Sequence, residues 1–459
     1  MPFPHLIRIS LTLILILILI RRKIQVGPTL FICSAFLAIT YWMPFKALGP
    51  AIPEGLIGHW PDFRTLYLLA AVLMVLILGT AMGEHGFLRK MVVGIESIFG
   101  DPRWVLAGLP AMIGLLPMPG GALFTAPMVN ETSEKLDLPA NTRTFLNHHF
   151  RHVFEYTWPL YPGLIILSPL VKIPVRTISI YNLPLTAAAI IAGIIFGLIP
   201  LKITHKSKAK GGGWFAIIDA LWPILFVVAL VLLFNLDLLI CLFLLVLLIL
   251  TRTKPWFGFG FAIIINGLIL LILKLITLKL INPFPYNLLF IGNGLIALVF
   301  IVILVFRPLY PWREFLSFLL RAIKGYMVAM VFGVMLFSSI IKASGAADGV
   351  AVDINKLGLP PIFLVCLLPA IIGYLTGITH SFVAGSFPIL LPFIPQGTDG
   401  LPMISLAYAC GFLGVLISPV HFCLILTVEY FKSDLMVVVR MLLPPAAVVL
   451  AVAFVRYFL

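Results

Sequence analysis

Charge is scarce in this 459-residue chain: only 10% of its residues are Asp, Glu, Lys or Arg. Soluble domains carry roughly 25%, so a water-soluble globular class is excluded. Cysteine is scarce as well. Cys33, Cys241, Cys366, Cys410 and Cys423 are scattered singly, with no CxxC pair, which leaves neither a disulfide framework nor a zinc-type ligand spacing. Hydrolase signatures such as GxSxG and HExxH are missing, and no acidic pair stands out. An intramembrane hydrolase built on Ser386 and a histidine therefore has no motif behind it, and the chain reads as a non-enzyme.

Apolar residues make up 62% of the sequence and occur in runs that no soluble fold could bury, which predicts an all-α polytopic membrane protein. Twelve runs are long enough to count as spans, at about 5 to 20, 27 to 44, 65 to 82, 145 to 168, 177 to 200, 214 to 234, 236 to 250, 257 to 279, 284 to 306, 325 to 343, 402 to 428 and 434 to 457. The formal charge of +14 comes from 31 basic against 17 acidic residues. The basic residues sit in short clusters between apolar runs, so they read as topology signals and not as a nucleic-acid surface. Arg21, Arg22 and Lys23 follow the run LTLILILILI, the reverse of a signal peptide's order, which predicts an uncleaved span ending in the cytoplasm. With that choice sixteen basic residues fall inside and eight outside, and both termini lie outside the cell membrane.

Two stretches do not read as ordinary spans. The run from Trp104 to Leu116 would cover only ~20 Å as a helix, short of the ~30 Å hydrocarbon core, and it breaks at PMPGG before resuming as ALFTAPMV. The run from Ile362 to Leu375 breaks at TGITHS and resumes as FVAGSFPILL. Both predict re-entrant hairpins, over about 102–137 and 361–397. Their first helices share a phrase: LPAMIGLL at Leu109 and LPAIIGYL at Leu368 are identical at six of eight positions, 259 residues apart. Pro127 and Pro388, and Pro159 and Pro419, extend the correspondence, which predicts a duplicated unit. Counting spans between the copies makes them inverted, so the tips approach each other near the midplane from opposite sides. The expected organisation is N-terminal spans over 1–60, one repeat over 61–200, a basic loop and scaffold spans over 201–310, and the second repeat over 311–459.

A break at membrane depth frees backbone groups at a cost of several kcal/mol each unless something bonds them. Lining a polar solute's site repays that cost: glycine admits close backbone approach, and the resuming helix points its positive end at an anion. The tips make Pro119, Gly120, Gly121, Thr376, Gly377, Thr379 and Ser381 candidate substrate contacts. A second matched pair of proline interruptions, TWPLYPG (157 to 163) and LISPVHF (416 to 422), adds Ser418, Pro419 and His421, with Thr157 and Tyr161 as further polar groups.

The tip phrases MPGGALFTAPMV and TGITHSFVAGSFPIL, the stretch RHVFEYTWPLYP and the inverted duplication resemble the ion transporter superfamily of secondary permeases. Within it the resemblance, over about residues 60 to 459, is to an uncharacterised prokaryotic integral-membrane family labelled as a domain of unknown function. The resemblance implies two inverted repeats, each with a re-entrant hairpin and a discontinuous helix, in a homodimer with elevator-type transport domains. Characterised members carry di- and tricarboxylates, gluconate-type sugar acids, or cations by antiport. The Ser-Asn-Thr tips of the dicarboxylate carriers are replaced here by PMPGG and GITHS.

HHFRHVFEY, from His148 to Tyr156, is the most polar stretch inside an apolar run. At helical spacing His148, His152 and Glu155 share a face and Arg151 reaches Glu155. Arg151 can meet an anion and Glu155 can orient it. As metal ligands the three would need a partner from elsewhere in the chain, and no metal or other cofactor is assigned, with Na⁺ a candidate coupling ion. His380 and His421 can carry a coupling proton, since histidine titrates near neutrality. The expected function is secondary transport of a small organic anion coupled to Na⁺ or H⁺. A cation/proton antiporter on the same fold is the alternative, and it would shift weight to Asp219, Glu155 and Glu429.

Overall fold

Proline, glycine and a few side-chain caps set where the helices of this chain start and stop. The computed structural model describes residues 4–22, 24–58, 64–84, 94–95, 98–99, 101–116, 121–134, 136–201, 213–232, 241–242, 317, 320–323, 325–358 and 360–459. Among them every regular element is helical. The chain runs through α1 (Pro4–Arg21), α2 (Val26–Thr40), α3 (Phe45–Leu56), α4 (Arg64–Glu84), α5 (Pro102–Gly114), α6 (Gly121–Glu134), α7 (Ala140–His152), α8 (Pro162–Val171), α9 (Val175–Tyr181) and α10 (Leu183–Gly193), which continues as a π turn. After α11 (Gly213–Leu232) come α12 (Gly325–Ala343), α13 (Ala346–Lys356), α14 (Pro361–Thr376), α15 (Thr379–Leu390), α16 (Leu401–Leu416), α17 (Phe422–Phe431) and α18 (Leu435–Phe458).

Asp101 starts α5 by accepting from the Arg103 N–H at 3.0 Å, with Pro102 at the first helical position. Pro361 starts α14, which Gly377 ends in the left-handed region at φ 64°. Asp434 caps α18 through the N–H groups of Met436 and Val437. Two lysines, Lys172 after α8 and Lys432 after α17, adopt left-handed backbone at φ 57° and 52°.

Among the described residues three helical stretches are long and apolar enough to cross a membrane: Gly325–Ala343, Gly397–Leu416 and Leu435–Phe458. The pair α8 and α9, bent by 112°, makes a fourth if it counts as one span. The twelve apolar runs of the sequence thus do not map one to one onto long helices. The run at 145–168 is interrupted at 153–161 and the run at 402–428 at 417–421, because Pro159, Pro162 and Pro419 withhold the N–H groups a continuing helix needs. The runs at 257–279 and 284–306, most of 236–250, and the basic loop KITHKSKAK lie outside the described residues.

The described helices pack in two groups, joined where α12 meets α15 and α4 meets α8. Near the N-terminus α2 and α3 lie along α12, and α1 rests on α13. Asp353 of α13, itself buried, accepts from the backbone N–H of His5 and of Leu6 at 2.9 Å each, closing the first turn of α1. In the second group α5 and α6 pack on α7, and α14 and α15 on α16. The partners then cross over, with α15 lying on α8 and α17 on α6. The α14–α16 contact is backbone on backbone: a methyl group added to Gly373 would strike the Gly411 carbonyl, and one added to Gly414 would strike that of Ala370.

Candidate functional site

Helix α7 is apolar at Phe145, Leu146 and Phe150 and polar at Asn147, His148, His149, Arg151 and His152, yet all of these side chains are buried. It stops at His152, and the chain from Val153 to Tyr161 continues through successive tight turns. Glu155 sits in those turns and not one turn further along the helix. His148, His152 and Glu155 still gather, with His152 Nε2 and Glu155 Oε1 3.7 Å apart, and the turn also brings Glu155 against other elements.

Its Oε2 accepts from the Thr379 hydroxyl, the first residue of α15, at 2.8 Å. Its backbone carbonyl accepts from the Tyr408 hydroxyl of α16 at 3.0 Å. Its Oε1 lies 3.7 Å from His152 Nε2. Arg151, only 2% exposed, donates through Nη1 to the Tyr161 hydroxyl at 2.8 Å and through Nη2 to the Leu116 carbonyl at 3.1 Å. The Gly114 carbonyl accepts from Tyr161 and lies 3.5 Å from Arg151 Nη1. Burying an ion costs several kcal/mol unless hydrogen bonds replace its water. Here the carbonyls that α5 leaves open at its C-terminus meet the cation, and a hydroxyl meets the anion.

His421, the N-cap of α17, directs Nδ1 at the Gly377 carbonyl, 2.6 Å away. Its Nε2 lies 3.1 Å from His152 Nε2. His152 Nδ1 is 2.6 Å from the His148 carbonyl, and His148 Nε2 is 3.1 Å from the Leu416 carbonyl. Gly377 and Gly163 make this closeness possible. A Cβ on Gly377 would lie 2.7 Å from His421 Cα, at a φ that disfavours any side chain. A Cβ on Gly163, in the first turn of α8, would lie 2.8 Å from Thr379 Cγ2.

The structure gathers many of the candidate residues at this point. Gly121 opens α6 with the Arg151 guanidinium directly against it. Thr376 accepts from the Ile378 N–H at 3.3 Å, and Ser418 donates to the Tyr374 carbonyl, so these two hydroxyls shape the breaks. The Ser381 hydroxyl is buried with no hydrogen-bond partner among the described residues. His380 is half-buried at the α15 start, and Pro419 is exposed. Pro119 and Gly120 lie outside the described residues, as does the side chain of Asp219, whose backbone belongs to α11. Glu429 is exposed on α17.

Sequence reasoning missed Tyr408, Gly163 and Asn147. Asn147 donates to the Ala122 carbonyl at 3.1 Å and to Thr427 at 3.3 Å, tying α7 to α6 and α17 immediately before His148. An amide inside an apolar run was the available signal for it. A small cavity bordered by His149, His152 and Tyr156 holds about 10 Å³, room for about one water. A larger cavity of about 510 Å³, bordered by Glu54, Lys172, Lys342 and Asp348, includes none of the cluster residues.

A family model described as "Protein of unknown function (DUF401)" matches residues 6–254 and 262–459. No curated protein matches the chain.

Proposed function

The chain belongs to the DUF401 family of proteins of unknown function, and we propose that it is a secondary active transporter of a small organic anion, a carboxylate or sugar acid, coupled to Na⁺ or H⁺. The proposal includes two inverted repeats in about twelve spans of the cell membrane, both termini outside, a homodimer with elevator-type alternating access, and kinship with the ion transporter superfamily.

The supporting observation is where the two interrupted segments meet. Arg151 holds the C-terminal carbonyls of α5 while Glu155, four residues on, holds the first residue of α15. One short stretch thus touches both hairpins at a buried point bearing both signs of charge. Membrane proteins tolerate such groups at depth where a polar solute or water must pass.

Correspondences between the halves support the duplication. Helices α8 and α17 have 10 residues each, and their first residues, Pro162 and Phe422, are 260 apart. Tyr161 and His421, also 260 apart, are extended N-caps, and Lys172 and Lys432 are left-handed C-caps. Trp158 Nε1 donates to the Leu115 carbonyl at 2.9 Å, and Ser418, 260 residues later, to that of Tyr374. The crossing of α15 onto α8 and of α17 onto α6 is the exchange a pseudo-two-fold axis would generate.

In this reading Arg151 and the α6 N-terminus at Gly121 attract the carboxylate, and Pro119, Gly120, Thr376, Gly377, Thr379, Ser381, Ser418, Pro419 and His421 complete the cradle. Reconstitution into liposomes tests the reading. Saturable uptake of labelled organic acids, driven by a Na⁺ or pH gradient and lost in Arg151→Gln protein that still folds, is the expected result. Cation-driven proton release with no acid uptake would instead establish the antiporter, which draws support from the burial of Glu155 beside histidines.

A further inference from the structure

Three histidines from two distant segments converge at the cluster. His148 and His152 lie on α7 and His421 caps α17, all three are buried, and the ring nitrogens they offer lie within 4.8 Å of one another. The ring centroids are separated by 4.5 Å (His148 and His152), 4.9 Å (His152 and His421) and 5.2 Å (His148 and His421).

One nitrogen of each ring faces a backbone carbonyl: His148 Nε2 faces Leu416, His152 Nδ1 faces His148, and His421 Nδ1 faces Gly377. A carbonyl only accepts, so each of these nitrogens must carry the proton. The remaining nitrogens then present lone pairs. Two of them, His152 Nε2 and His421 Nε2, face each other at 3.1 Å, and the third, His148 Nδ1, is buried with no hydrogen-bond partner among the described residues. Lone pairs so placed repel unless a cation lies between them. A single proton can bridge one pair and leaves the third nitrogen unmet, whereas a metal ion meets all three. Metal-binding histidines characteristically donate their other N–H to a carbonyl or carboxylate in this way.

We propose that His148, His152 and His421, with Glu155 as a fourth ligand, form a binding site for a divalent transition-metal ion of the zinc class. Glu155 Oε1, 3.7 Å from His152 Nε2, supplies an oxygen and a negative charge. Imidazole favours Zn²⁺, Cu²⁺, Ni²⁺ or Co²⁺ over Mg²⁺ and Ca²⁺. Tetrahedral zinc with Zn–N bonds of ~2.1 Å sets its ligand nitrogens about 3.4 Å apart. The 3.1 Å pair is near that spacing, and the third imidazole offers a nitrogen within 4.8 Å of the other two, a gap that ring rotation can close. The bound ion ties the end of α7 to the start of α17, the two places where the chain interrupts a helix.

The test uses the purified full-length protein in detergent, stripped by chelator and titrated with Co²⁺, with bound Zn²⁺ measured separately by mass spectrometry. One ion per chain is expected, with visible ligand-field absorption typical of four-coordinate Co²⁺. His148→Gln and His421→Gln should each weaken binding about 100-fold or more, while His5→Gln, on α1, leaves it unchanged. Should either variant fail to fold, nitrogen hyperfine coupling to Cu²⁺ in the unaltered protein reports the imidazoles directly. Absence of Co²⁺ binding at micromolar concentration, binding that survives loss of both His148 and His421, or Cu²⁺ without nitrogen coupling would overturn the site. The proposal does not rest on anion transport: metal binding without uptake overturns only the transporter, and uptake without metal binding overturns only the site.

Discussion

Thr379 and Glu155 are 224 residues apart in the chain and share a hydrogen bond of 2.8 Å. That bond joins the first residue of α15 to the turn that follows α7, and Gly163 leaves room for it by bringing the α8 backbone against the threonine methyl.

Replacing Thr379 by Val keeps the shape and removes the donor. Glu155 Oε2 is then left without that bond, a loss of about 1–3 kcal/mol. Thermal unfolding in detergent should show a clear drop for Thr379→Val and little change for Thr379→Ser. Equal melting temperatures for the two variants would mean that the hydroxyl contributes nothing to Glu155.

Arg151→Lys keeps the charge and loses the fork that reaches Tyr161 and Leu116 together. In the transport reading the KM for the anion rises about 10-fold or more, equivalent to ~1.4 kcal/mol of lost binding, and Arg151→Gln abolishes uptake. Proteoliposome kinetics separate this from a fall in the amount of folded protein. An unchanged KM in Arg151→Lys would remove the guanidinium from the substrate's path.

Two glycine substitutions should move stability in opposite directions. Gly377→Ala forces a side chain into left-handed backbone and against His421, a cost of about 1 kcal/mol from conformation alone and more from the contact. Gly79 lies inside α4 with nothing among the described residues within 4 Å of an added Cβ. Gly79→Ala should stabilise by about 0.4–1 kcal/mol. Melting temperatures of both variants check the pair, and a stabilising Gly377→Ala would contradict the packing described.

Asp353→Ala removes the acceptor that closes the first turn of α1. A lost N-terminal cap costs ~1 kcal/mol, and the effect should be local. Hydrogen exchange at His5 and Leu6 should quicken while the helices around Glu155 keep their protection; uniform quickening would show that α1 supports the whole fold.

The breaks were legible because proline and glycine act through the local backbone: Pro159, Pro162, Pro419 and Gly377 mark them whatever the rest of the chain does. The polar character of the stretch from His148 to Glu155 was legible too, since such residues stand out in an apolar run. Their partners were not. Helical spacing set Arg151 near Glu155, but their hydrogen-bond partners come from other segments of the chain. The carbonyls that Arg151 meets belong to α5, some 35 residues earlier in the chain, and a backbone acceptor leaves no mark in a sequence. His421 meeting His152 depends on how α17 packs against α7, which periodicity does not encode. Gly163 carried no signal because its role is to leave space for Thr379, a residue from the other half of the chain.

The backbone contact between α14 and α16 has a mechanical consequence. Side chains can change rotamer to let helices slide, but carbonyls seated against Gly373 and Gly414 offer no such give, and shear would drive main-chain atoms through one another. Helices α14 and α16 are therefore a welded beam. Displacement that opens the space around Glu155 has to flex at the joints of that beam, where Gly377 turns the chain and where the backbone unwinds from Ile417 to His421.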